Sequence, residues 1–279
     1  MPELPEVETT VRALREPLIG RRITAVSNDW PRQIASHEDV AAFDWQIRGQ
    51  QIDAINRRAK YLVFSLSGDD TLIIHLKMSG HLAVEDAAAP RHKHVHTVFS
   101  LDNGRELRFR DMRKFGRVYL VQEPETVLGG LGPEPLDEAF SPDVLRERLN
   151  GRSRAMKPLL LDQSFIAGVG NIYADEALFY SSIHPRRTAD SLTQNEIVAL
   201  YAAIQKVLTM GIEREGASID LYTKPDGTRG DMQNAVAVFR RTGMPCYQCQ
   251  TPINRIVMNS RSTHFCPQCQ PYPVKSESQ

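Results

Sequence analysis

Apolar side chains recur at Val7, Val11, Leu14 and Leu18, the spacing of one helix face, which predicts an amphipathic helix over 5–18 that stops at Gly20. The period then shortens to two. Alternating or β-rich runs at 21–26, 51–55, 61–66, 71–76, 97–101, 106–109 and 117–121 read as strands, with turns at Ser67-Gly68-Asp69-Asp70 and Asp102-Asn103-Gly104. Many short strands joined by tight turns predict an antiparallel β-sandwich or barrel. Beyond residue 121 helical periodicity returns at 142–149, 153–161, 171–181 and 195–213. The expected organisation is a helix-plus-sandwich domain over 1–122, a Pro/Gly-rich linker over 123–137, a helical domain over 138–240, a cysteine-bearing hairpin over 241–273 and a disordered polar tail over 274–279. The stretch 219–234, which contains TKPDGTRGD, reads as a mobile loop.

A chain of 279 residues, 41% hydrophobic and 24% charged, suits two compact domains and a small module. No apolar run approaches the roughly 18 residues of a membrane span. The opening MPELPEVE carries acids and prolines in place of a basic leader and apolar stretch, so a cytoplasmic protein is expected. The 34 basic and 34 acidic residues cancel, which alone argues against a nucleic-acid binder. The charges are segregated, however. No Asp or Glu falls between Met232 and Ser276, where Arg240, Arg241, Arg255, Arg261 and Lys275 lie, and Arg105, Arg108, Arg110, Arg113, Lys114 and Arg117 outnumber Glu106 and Asp111 in a second run. Phosphate binding needs a local positive face, although either run also reads as a solvated surface.

All four cysteines, Cys246, Cys249, Cys266 and Cys269, follow the spacing C-x2-C-x16-C-x2-C, which fits one structural zinc held by four thiolates. The alternative, two disulfides, requires an oxidising compartment. At the other end, loss of Met1 exposes the secondary amine of Pro2. An α-amino group has a pKa of about 8, so part of it is neutral and nucleophilic near neutral pH. Attack on a sugar C1′ gives a cationic iminium, an electron sink that permits elimination of the attached phosphates, and Glu3 stands beside the amine as a proton carrier. A plain chain start is the bland reading of the same three residues.

The run PELPEVE, RRAKYL, HLKMSGHL, RFRDMRKFG, LGPEPL, MKPLLLDQ with GVGNIYADEALF, and NSRSTHFCPQCQ resembles the formamidopyrimidine-DNA glycosylase family, in its order and along nearly the whole chain. The resemblance implies a β-sandwich N-domain and a helical helix-two-turn-helix domain with a zinc-finger β-hairpin, holding damaged duplex DNA in the cleft between them as a monomer. It implies Pro2 as nucleophile, Glu3 as acid/base and Lys60 as the lysine on the phosphate beside the lesion. Met78, Arg113 and Phe115 become the wedge that fills the gap left by a flipped base, a step costing a few kcal/mol. Lys157, Asn171, Tyr173 and Arg261 become DNA contacts, with Gly168 and Gly170 turning the chain into the helix that Asn171 opens. The activity implied is excision of oxidised purines such as 8-oxoguanine and formamidopyrimidines, followed by β,δ-elimination.

Several positions depart from the family pattern. Met112 stands where proline is usual, Lys114 where arginine is usual, Lys77 where glycine is common, GTRGDMQN where the loop usually carries an aromatic, and VFRR for the frequent VYGR. The altered loop leaves open the sister endonuclease VIII branch, which acts on oxidised pyrimidines. A non-catalytic damage-binding protein is the rival from another class. His92, His94 and His96 share a strand face, and the family's K-H-x-H stretch without a metal favours a structural role for them.

Overall fold

The computed structural model describes residues 1–272; the expected tail over 274–279 lies outside the described residues. The chain divides into two compact units, Met1–Gly130 with Gly211–Gln233, and Leu131–Met210 with the residues from Asn234 on.

In the first unit, α1 (Leu4–Leu18) buries Val7, Val11, Leu14 and Leu18, as its period requires. The strands are β1 (Ile23–Asn28), β2 (Ile52–Arg58), β3 (Tyr61–Leu66), β4 (Thr71–His75), β5 (Gly80–Asp86), β6 (Val95–Leu101), β7 (Arg105–Asp111) and β8 (Arg117–Val121), with α2 (Val40–Ile47) after β1 and α3 (Glu125–Leu128) after β8. They form two four-stranded antiparallel sheets, ordered β1-β6-β7-β5 and β2-β3-β4-β8. One apolar core draws Phe99, Leu107 and Phe109 from the first sheet, Phe64, Leu72 and Val118 from the second, and the buried face of α1. This is the expected sandwich.

Sequence periodicity misses β5 and α2. In β5, Gly80 opens the strand and Leu82 and Ala83 are buried in succession, which breaks the alternation. In α2 only Phe43 and Ile47 are buried while Trp45 is 82% exposed, so the apolar face is blurred by an outward tryptophan. The basic run over 105–117 is also less available than its composition suggests. Arg108 is 1% exposed, donates to Glu106 at 2.8 Å and Glu85 at 2.6 Å, and takes the carbonyls of Asp86 and Ala89, so it braces the turn after β5. Arg105 caps the Val84 carbonyl and Arg117 those of Phe115 and Gly116.

The segment 211–233, expected within the helical domain, groups with the first unit because polar contacts join it to α1 and β5. Ala217 N donates to Glu6 Oε1 at 2.8 Å, and His81 Nε2 lies 3.0 Å from the Lys224 carbonyl. The stretch expected to be mobile is stitched to itself as well. Ser218 N donates to Gln233 Oε1, Gly230 N to Ser218 Oγ and Arg229 to Ser218 O, while Lys224-Pro225-Asp226-Gly227 closes a turn through Gly227 N to Lys224 O at 2.8 Å. Met232, where the family has an aromatic nearby, is fully buried.

In the second unit, α4 (Pro142–Leu149), capped by Ser141, and α5 (Met156–Leu160) precede α6 (Asn171–Tyr180) and α7 (Gln194–Glu213). Tyr173 through Phe179 are buried on every side of α6, which makes it a central helix with no amphipathic stripe. The hairpin β9 (Asn254–Met258) and β10 (Arg261–Phe265) turns at Asn259 and Ser260, with φ 45° and 60°, the paired left-handed residues that match strand twist. Gly168 turns the chain at φ 86° ahead of α6, whereas Gly170 is extended.

Gly80 starts β5 where an added Cβ would lie 2.4 Å from Leu76 O and 2.8 Å from a Phe109 ring carbon. Gly80→Ala is therefore expected to lower stability by about 1–3 kcal/mol through overpacking, measured by urea unfolding. A loss below about 0.5 kcal/mol contradicts this packing.

Candidate active site and nucleic-acid interface

The N-terminus is held by a capping box. Glu3 N-caps α1 and accepts from Glu6 N, while Glu6 Oε2 accepts from Glu3 N at 2.7 Å. Both carboxylates are buried, at 3% and 1% exposure, and so is Pro2, whereas Met1 is 44% exposed. The other oxygen of Glu6 takes Ala217 N, so one side chain fixes the backbone at residue 3 and the start of the 217–233 loop. Tyr222 closes the same corner, donating to Glu6 O at 3.3 Å, and burial pushes its phenol well above the ordinary range, helped by the Glu6 charge.

Lys60 lies in the turn between β2 and β3 and is 4% exposed. Near it is His75, which sequence reasoning does not single out. His75 Nδ1 accepts from Lys77 N at 2.9 Å, and its ring meets Tyr61 edge-on at 4.4 Å. Burial, then the Lys77 and Lys60 charges, lowers its pKa to about 3, so the ring is neutral and carries its proton on Nε2. Burial and Arg117 lower Lys77 in turn. Lys60, Lys77 and Arg117 thus place a concentrated positive field around His75. Lys77 sits at φ 52°, a conformation glycine supplies without strain, which accounts for the glycine common in the family.

The three wedge candidates come together. Asp111, fully buried at the end of β7, accepts from Ser79 Oγ at 2.5 Å, Arg113 N at 3.2 Å and Gly116 N at 2.6 Å. Ser79 Oγ also accepts from Arg113 N at 3.0 Å, which ties the turn bearing Met78 to the loop bearing Arg113 and Phe115. Phe115 is 46% exposed with the Arg113 guanidinium 5.0 Å from its ring, and Met78 is half-buried, so neither is a core residue. Lys114 takes φ 59° and sets its ammonium 4.2 Å over Trp30, a contact that gives the departure from arginine a local role. Asp111 is an organiser that sequence reasoning misses, because its donors come from two separate turns.

In the second unit, Asn171 opens α6 and donates through Nδ2 to Ser262 O at 3.1 Å, next to exposed Arg261 at the start of β10. These two expected DNA contacts are neighbours. The other two do not join them at the surface. Lys157 is 0% exposed, with its ammonium on Asp175 at 2.6 Å and on the Asn171 carbonyl at 2.8 Å, and Tyr173 is 0% exposed inside the core. The Lys157 ammonium thus helps to place the backbone at Asn171, while Tyr173 lies within the core. Arg241, from the second basic run, is likewise inward, bonded to Ala237 and Pro245 carbonyls and stacked on Tyr247 at 3.6 Å.

The four cysteine sulfurs all lie within 4.8 Å of one another, with closest pairs at 3.4, 3.5 and 3.9 Å. A tetrahedral zinc–thiolate site with bonds of about 2.3 Å sets its sulfurs about 3.8 Å apart. A disulfide needs about 2.05 Å, and all four cysteines are free, so the zinc reading replaces the disulfide one. Burial first, then the neighbouring sulfurs, pushes the Cys269 thiol well up, a cost that a divalent cation removes. Four thiolates leave no open position for water, so the zinc is structural.

A sandwich that fixes a chain terminus, a helical unit and a four-thiolate hairpin define a class of multidomain zinc-hairpin proteins. Residues 1–118 match the formamidopyrimidine-DNA glycosylase N-terminal domain, 131–223 the H2TH domain of the same enzymes, and 243–271 the zinc finger found in FPG and IleRS. The formamidopyrimidine-DNA glycosylase of Symbiobacterium thermophilum is 50% identical over 98% of this chain and 90% of its own length, and that of Herpetosiphon aurantiacus is 48% identical over 97% and 100%. Among solved structures, a Lactococcus lactis FPG mutant in complex with Fapy-dG-containing DNA superposes with a TM-score of 0.91 at 36% identity, covering 97% of this chain and 100% of that one. MutM (FPG) from Thermus thermophilus gives 0.88 at 40% identity, covering 98% and 100%. The chain belongs to the formamidopyrimidine-DNA glycosylase family.

His75 has a folded-state pKa below its unfolded value, so its contribution to stability is full above about pH 6.5 and is lost as pH falls toward about 3. Over that window wild type should lose stability faster than His75→Gln, by up to about 1.4 kcal/mol per pH unit. Parallel stability–pH curves contradict the assignment. Purified protein should also carry one zinc per chain by elemental analysis, and chelation should abolish amide protection across β9 and β10. Retained protection after metal removal contradicts a zinc-dependent hairpin.

Proposed function

We propose that this chain excises oxidised purines from duplex DNA and cuts the strand at the resulting site, with the amine of Pro2 as nucleophile. The reading is supported above all by the capping box, in which two buried glutamates fix residue 3 at the start of α1. Removal of exposed Met1 frees an amine that cannot wander. Its lone pair attacks C1′ of the damaged nucleotide, and the C1′–base bond breaks as the base leaves with a proton. The C1′–O4′ bond of the resulting aminal then opens as O4′ takes a proton, leaving a cationic iminium; loss of a C2′ proton expels the 3′-phosphate and loss of a C4′ proton expels the 5′-phosphate, the β- and δ-eliminations. Glu3, adjacent in sequence and buried, moves the protons.

A stacked base is out of reach of this amine, so the nucleotide must be extruded. Met78, Arg113 and Phe115, gathered by Asp111 and Ser79, fill the space it leaves, with the arginine toward the orphaned partner base. Lys60 neutralises the phosphate beside the lesion, and Asn171 with Arg261 holds the backbone from the second unit. The purine preference is supported by the names of the relatives and by the Fapy-dG and carbocyclic 8-oxo-G complexes among the structural neighbours. Damaged DNA is the partner. Among the described residues no helix is long and apolar enough to cross a membrane, and we assign the protein to the cytoplasm.

Excision assays on oligonucleotides bearing 8-oxoguanine, a formamidopyrimidine or thymine glycol test the substrate. The purine lesions are expected to be cut at least tenfold faster, with phosphate on both ends of the gap. Preference for thymine glycol overturns the purine assignment.

A further inference from the structure

The side chain of Asp175 has no counterpart in the chemistry above, yet it is fully buried and carries three polar contacts. Its Oδ1 accepts from Lys157 Nζ at 2.6 Å, and its Oδ2 meets both the backbone N and the ring Nδ1 of His264 at 3.0 Å. One turn earlier on α6, Asn171 donates to Ser262 O at 3.1 Å. Residues 171 and 175 share a helix face, and 262 and 264 share a strand face. Two clamps therefore join α6 to β10, a helical turn apart on one element and two residues apart on the other. Lys157 closes the circuit from Asp175 back to the Asn171 carbonyl at 2.8 Å. The neighbouring Glu176 secures the other arm of the same module, accepting from Ala237, Val238 and Phe239 N at 2.7, 2.9 and 2.9 Å.

We infer that Asp175 is a positioning residue for DNA binding: through His264 and Lys157 it fixes the zinc hairpin against α6, so that Arg261 and Asn171 meet the DNA backbone as one preset phosphate site. The zinc ties the two ends of the hairpin together, and Phe179 of α6 shares an apolar cluster with Ile253 and Cys266 at that end; the Asp175 contacts fix the orientation of β10, which bears Arg261. The inference rests on the reading of Arg261 as a phosphate contact.

The test measures affinity for a duplex bearing a reduced abasic site as a function of salt, with zinc content determined for every variant. Arg261→Ala should weaken binding and make the log–log salt slope shallower by about 0.9, one phosphate. Asp175→Asn should weaken binding roughly tenfold with the same loss of slope and one zinc retained. Adding Arg261→Ala to it should cost no further slope. Asp175→Asn leaves a buried ammonium unpaired, so Lys157→Met/Asp175→Asn provides a neutral pair that reports the same slope if the single variant fails to fold. A slope equal to wild type in the Asp175 variants, additive losses with Arg261→Ala, or loss of zinc overturns the positioning role. An unchanged slope in Arg261→Ala itself overturns the phosphate reading, and the inference with it.

Discussion

The carboxylate of Glu6 serves two segments more than two hundred residues apart. One oxygen takes the amide of Glu3 and the other the amide of Ala217, and the group has almost no access to water. An unpaired buried carboxylate is costly, so the native state must keep both donors in place. That requirement sets the start of α1, and with it Pro2 and Glu3, and it anchors the 217–233 loop to the same corner. The sandwich supplies the rigid wall beneath α1. The chemistry proposed for Pro2 needs this rigidity, because the amine sits on a chain end, where fraying is otherwise the rule.

The same device recurs: a buried acid that accepts several donors from loops holding exposed functional groups. Asp111 gathers the turn of Met78 and the loop of Arg113 and Phe115, and Glu176 takes three successive amides at the entry to the zinc hairpin. Phe115, proposed to enter the duplex, is itself poorly packed at 46% exposure, so its position must come from its backbone. Division of labour between buried acids and exposed cations also reconciles a net charge of zero with DNA binding.

Local rules make part of this molecule legible in its sequence. The helix over 5–18, the strands at 61–66 and 117–121 and the cysteine spacing can be read because period and spacing are properties of short segments. The family resemblance supplies Pro2, Glu3 and the wedge, which no periodicity contains. What stays hidden depends on distant partners. Arg108 reads as one of six available cations until Glu85 and Glu106 enclose it, and Lys157 reads as a phosphate contact until Asp175 draws it inside. The segment 219–234 reads as mobile from its glycines and charges, yet Tyr222 and Lys224 bond to Glu6 and His81, far away in the chain.

The account turns on which atom of the protein bonds to the sugar. Borohydride reduction during turnover of lesion-bearing duplex, followed by proteolysis and mass spectrometry of the nucleotide-bearing peptide, answers this directly. The adduct is expected on the nitrogen of residue 2 in chains that have lost Met1, and on no lysine. An adduct on Lys60 or any other side chain, or none in correctly processed protein that still binds the duplex, contradicts the mechanism.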